Sequence, residues 1–259
     1  MNKQQYKTLN TNAKKYRKQL NIETVKLEFL KENLLNQNLK LEKGDLINFG
    51  LELVPFTFSQ LNKVNNCKKA KSCLLTCLAF SGQANMYKSK TLELSDPLKK
   101  RIRRDFLKEN DNYFFMEKLK SELLLLNSTY DKVGIRLNVF SDIDWNKVID
   151  FKAYKNIIFY DYTKEREYLT QKNKTFAYSA SENDSDKDLI DLLNNGFNVA
   201  MVFDIARTKP LPTQWNNFKI VDGDLNDNIY KLDKGVVIGL RQKLTIAGKT
   251  SSKFTERGL

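Results

Sequence analysis

From residue 134 onward the chain repeats one pattern: a short run rich in Val, Ile, Phe and Tyr, then a polar or charged stretch. The runs fall at 135–140, 156–160, 175–178, 198–204, 218–221 and 235–240, and weaker helical signals fill the gaps at 144–151, 164–171 and 186–194. Runs this short and apolar read as strands buried on both faces, and strands that alternate with helices belong to parallel βαβ units. An apolar, partly alternating segment at 46–58 supplies one more strand ahead of the series. Six or seven mostly parallel strands predict an α/β domain built as a partial or complete (β/α) barrel.

The segment before residue 44 is of another kind. Leu20, Val25, Leu27, Leu30 and Leu34 recur roughly at helical spacing without proline, so residues 1–43 read as a polar helical arm. The simplest division is that basic arm followed by an α/β barrel-like domain at 44–259. A helix begins at 73–80, and helices fill 97–130 with Leu119, Leu123 and Leu126 on one face. There is no internal repeat and no low-complexity linker. No run of 18 apolar residues exists and the first residues lack a hydrophobic signal region, so the expectation is a cytoplasmic protein without a membrane.

The net charge of +13 is concentrated in residues 1–43 and 63–104, while the remainder is balanced. Blocks of like charge on a neutral body attract polyanions through counterion release. Lys68, Lys69, Lys71, Arg101, Arg103 and Arg104 are the candidate nucleic-acid contacts. The plainer alternative is that Lys-rich helices only solvate the chain. Histidine is absent, which excludes His-dependent triads and His-metal hydrolase sites. Acid–base chemistry would fall to Asp, Glu, Lys, Tyr or Cys.

Cys67, Cys73 and Cys77 are the only cysteines, separated by five and then three residues. On a helix Cys73 and Cys77 would share a face, with Cys67 folding over them from a loop. Three thiolates match a four-iron four-sulfur cluster that keeps one iron open. Zinc is the alternative, with Asp or Glu as fourth ligand. Three small buried hydrophobes would be the plain structural reading.

Polar residues follow nearly every predicted strand. Ser141, Asp142 and Asp144 follow the first of the series, and Asp161, Thr163 and Lys164 the second. Ser179, Ser181 and Glu182 follow the third, and Asp204 the fourth. Asp222 and Asp224, then Arg241 and Lys243, end the series. In β/α folds the loops at that end of the strands converge on the ligand crevice. The candidate catalytic residues are therefore Asp142, Asp144, Asp161, Lys164, Glu182, Asp222 and Asp224, with Ser179, Ser181 and Arg241 as cofactor contacts. For any single position, helix capping is the competing role.

The strings NCKKAKSCLLTCLAFSG, RIRRDFL, IRLNVFSDIDW, IIFYDYTK, FAYSASEN, LPTQW, IVDGDLND and GVVIGLRQK, in that order, resemble a tailed-phage family known as gene product 88. The resemblance covers about residues 46–254 and implies no particular activity. A more distant resemblance is to phage-associated radical-SAM-like proteins, which have a three-cysteine loop after the first strand, then strands ending in Thr-Lys and Ser-x-Glu. Thr163-Lys164 and Ser179 to Glu182 stand in similar places, although the cysteine spacing departs from that group's three and two. This likeness implies that the cysteines hold the cluster and its open iron takes S-adenosylmethionine.

Three functional expectations follow. One is an iron–sulfur, radical-SAM-like enzyme modifying a nucleic acid or nucleotide. Another is a non-enzymatic nucleic-acid-binding phage or plasmid replication accessory protein with structural zinc. The third is a nucleobase transglycosylase using Asp142 or Asp161 as nucleophile.

Overall fold

A computed structural model describes residues 3–37, 41–42, 46–61, 65–70, 77, 92–181 and 183–242. Nine strands form one sheet: β1 (Leu35–Asn36), β2 (Asn48–Leu51), β3 (Val133–Arg136), β4 (Ile157–Thr163), β5 (Thr175–Ser179), β6 (Asn198–Phe203), β7 (Gln214–Trp215), β8 (Phe218–Asp222) and β9 (Val237–Arg241). Their spatial order is β1-β2-β3-β4-β5-β6-β9-β8-β7. Every pairing from β2 to β8 is parallel, and the two-residue edge strands β1 and β7 pair antiparallel. The sheet is open, a partial barrel rather than a closed one.

The register sorts side chains by face. Ile135, Phe159, Tyr178, Val199 and Val237 point to one side, where helices cover them. Five helices are described: α1 (Lys3–Lys18), α2 (Ile22–Lys31), α3 (Asp96–Asn110), α4 (Asn112–Thr129) and α5 (Asp186–Asn194). The opposite face carries Tyr160, Ala177, Ala200 and Ile238, covered by Leu41 and by a short turn containing Ile229. That turn belongs to the connection between β8 and β9.

The predicted helical arm at 1–43 holds two described helices, α1 and α2. Asn21 starts the second by accepting the amides of Glu23 and Thr24. Residues 97–130 likewise divide at Asp111, whose carboxylate caps α4. The α1–α2 segment packs into the body: Leu9, Ala13, Val25 and Phe29 are core residues. The expected strand at 46–58 is only β2, and that at 135–140 lies earlier, as β3. The expected helices at 144–151 and 164–171 are 3₁₀ turns, Trp145–Lys147, Phe151–Ala153 and Arg166–Thr170. Asp144 and Asp150 each accept the amide two residues on, restarting the backbone before an α-helix can propagate. Only α5, with a Ser185–Asp188 capping box, coincides with its predicted helix. The predicted helix at 73–80 lies outside the described residues except for Cys77.

Candidate functional site

Because β2 to β6, β9 and β8 are parallel, their C-terminal ends share one edge. The loop at 65–70 docks there. Asn66 is buried, and its carbonyl accepts the Asp142 amide at 2.6 Å. Its side-chain amide donates to the Val54 carbonyl at 2.9 Å and to Asp105 Oδ1 at 2.6 Å. Asp105 is itself fully buried on α3 and paired with Arg17 of α1 at 3.3 Å. Burial pushes the Asp105 carboxyl up, against the pull of Arg17 and Asn66. The residue immediately before Cys67 is thus tied to the two helices and to the sheet edge. From the same loop, Lys69 pairs with Glu165 at 3.6 Å.

Cys67 and Cys77 are half-buried. The Ala70 amide donates to the Cys67 carbonyl, closing the turn that Cys67 begins. Ala70 and Cys77 both pack on the apolar cluster of Val54, Phe56 and Phe58. Cys73 and Lys71 lie outside the described residues. Among the described residues, no three His, Cys, Asp or Glu side chains gather as a metal-binding group.

Next to this loop, Asp142 accepts the Thr163 hydroxyl and the Lys164 amide, each at 2.8 Å. Burial raises its pKa to about 6, opposed by those two hydrogen bonds. Lys164 turns its ammonium to the carbonyls of Ser179 and Ala180. Asp142, Thr163, Lys164 and Ser179 therefore form one connected group across the ends of β3, β4 and β5.

Other candidates are engaged in the framework. Asp161 is fully buried, accepts the Asn138 amide and pairs with the buried Lys174. Burial pushes its carboxyl up as well. Asp144 caps the turn that follows it and accepts from Gln171. Ser181 donates to Asp184, while Glu182 and Lys243 lie outside the described residues. Arg241 gathers Asp222 and Asp224, at 2.8 and 3.2 Å, at the ends of β8 and β9.

The candidate nucleic-acid contacts separate into two sets. Lys68 and Lys69 are exposed. Arg101 and Arg104 are 4% and 1% exposed. Arg101 pairs with Glu52 at 2.9 Å and lies over the Phe140 ring, and Arg104 donates to the Asn33 carbonyl. Arg103 pairs with Glu28 and donates to the Tyr16 hydroxyl. Arg101 and Arg104 serve the interior, while Arg103 is half-buried in a surface pair.

Two organising residues carry no signal in the periodicity. Asn138 accepts from the Ser141 hydroxyl, the Ile143 amide and the Trp145 indole, which shapes the SDIDW segment. Asn66 is visible only as the residue preceding Cys67 in NNCKK.

The family described as gene product 88 matches residues 6–258 of this chain. Comparison with curated proteins and with solved structures gave no match.

Proposed function

The chain belongs to the gene product 88 family, and we infer that it is a phage protein that binds a metal or iron–sulfur centre and acts on a nucleic acid or nucleotide. The observation that supports this reading is the docking of the Cys67 loop on the C-terminal ends of β3 and β4. Asn66 to Asp142 and Lys69 to Glu165 bring the loop that carries Cys67 beside the connected group of Asp142, Thr163, Lys164 and Ser179.

Cys67 and Cys77 fit the soft-donor chemistry of such a centre, and Cys73 would complete three thiolates. A cluster bound there would supply single electrons and, in the radical-SAM-like reading, an open iron for S-adenosylmethionine. The chain's own residues would do the rest. Lys164 and Ser179 would orient the substrate at the strand ends, and buried Asp142 would hold or release a proton near neutral pH. Zinc in the same place would support the non-enzymatic reading. The transglycosylase reading has less support, because Asp142 and Asp161 are both turned to internal partners.

Anaerobic purification with metal and sulfide analysis tests this. A brown protein whose iron and visible absorption are lost in Cys67→Ser, Cys73→Ser and Cys77→Ser together is the expected result. Colourless protein with stoichiometric zinc moves the chain to the accessory-protein reading. Anaerobic protein with neither metal overturns the metal-centre reading.

A further inference from the structure

The two connections flanking β4 lie on the helix-covered side of the sheet, yet neither is an α-helix. A 3₁₀ turn is narrower and shorter than the α-helix usual in a βαβ unit, so these two crossovers cover the sheet, with Ile157, Phe159 and Tyr178 buried beneath them, but leave a depression between themselves. Between them runs an open groove of about 680 Å³, lined by residues 146–152 and 171–173. Two of its lining residues are tied to the framework: Gln171 donates to Asp144, and the Phe151 ring lies against Lys174.

Its chemistry is basic and amide-rich. Lys147, Lys152 and Lys172 line it and are exposed, together with Asn146 and Asn173. One carboxylate shares the lining: exposed Asp150, which accepts the Lys152 backbone amide, so three lysines against one aspartate leave the groove net positive; nearby, Asp144 accepts the Asn146 amide with Lys147 at 3.8 Å. Phe151 is buried, so among the lining residues no aromatic ring is open for a base to stack on.

We propose that this groove is a binding site for single-stranded nucleic acid, its lysines meeting successive phosphates and its amides facing the bases. Charge complementarity selects a polyanion. A concave channel takes a flexible strand, whereas a duplex is read by an element that protrudes into its groove. Sequence preference should be low, since stacking is absent. The proposal deepens the nucleic-acid part of the reading above and is independent of any metal.

The test uses the full chain and labelled 20-nucleotide single-stranded DNA and RNA of mixed sequence, titrated at low salt and then over a salt series. Lys147→Glu, Lys152→Glu and Lys172→Glu combined are compared with a charge-matched variant of α1, Lys7→Glu, Lys15→Glu and Lys18→Glu. All six side chains are exposed, so both variants should retain wild-type circular dichroism and melting. The expected result is at least a tenfold loss for the groove variant, with a salt slope shallower by about 2, and less than a threefold loss for the α1 variant. Equal losses in both would show general charge attraction and overturn the groove. So would absence of wild-type binding at low salt, or unchanged binding by the groove variant. Metal content plays no part in this readout, so failure of the metal-centre reading leaves the result interpretable.

Discussion

Asn66 does more than its position in a loop suggests. Its amide joins Val54 and Asp105, and its carbonyl joins Asp142. Asn66→Ala would leave a buried carbonyl and part of a buried carboxylate without donors, at a cost of about 2–3 kcal/mol in urea unfolding. Arg17→Met should cost about 3–5 kcal/mol, because Asp105 and Glu109 would lose the cation that compensates them. For Asp142 the pH dependence has a definite sign. A carboxyl whose folded pKa lies above its unfolded value holds its proton more tightly when folded. Its stabilising contribution is complete below the unfolded value of about 3.8 and is lost as pH rises through about 6. Between those limits the wild type should lose up to about 3 kcal/mol relative to Asp142→Asn. Urea curves of both proteins at pH 4, 5, 6 and 7 would show it, and a constant difference would refute it.

At the level of elements, β6 is legible because its apolar run is uninterrupted, whereas β4 is legible only to Tyr160, since buried Asp161 breaks the run while the strand continues to Thr163. β1 and β7 are not, since two residues hold no periodicity. The crossover from β3 to β4 differs from its expected helix for a related reason: spacing reports which residues are apolar, whereas Asp144 and Asp150 decide how the backbone turns. Close approach between strands is equally invisible in sequence. A Cβ on Gly134 would stand 1.9 Å from Asn48 Oδ1 and 3.2 Å from the Tyr160 ring. Gly134→Ala should therefore separate β2 from β3 or displace Asn48, costing about 2–3 kcal/mol with a matching fall in melting temperature. An unchanged melting temperature would mean that Asn48 moves aside freely.

Across the whole molecule, the polar strand ends did gather on one edge with the Cys67 loop, as the parallel reading required. What sequence does not reveal is how many of those groups are already committed to one another. Arg241 with Asp222 and Asp224, and Asp161 with Lys174, look the same in a string of letters as residues facing open solvent. The charge pattern misleads in the same way. Arg101 and Arg104 stand in the most basic stretch, yet they are buried among Glu52, Phe140 and Asn33. Charge counted along the chain measures composition; only packing tells which cations reach solvent.

The placement of β9 between β6 and β8 has a consequence for synthesis on the ribosome. Strands β2 to β6 can join in the order in which they emerge, each beside its predecessor. The β7–β8 hairpin then emerges with no β-strand to pair with until residues 237–241 leave the exit tunnel and bridge it to β6. Until then two parallel edges are open at once, a hazard that short antiparallel borders remove from the finished sheet. A chain stopped at residue 234 should lack a cooperative unfolding transition and sediment with aggregates, although it keeps seven-eighths or more of the described strands. Translation pausing shortly before β9 would then lengthen the most vulnerable interval in the life of this protein.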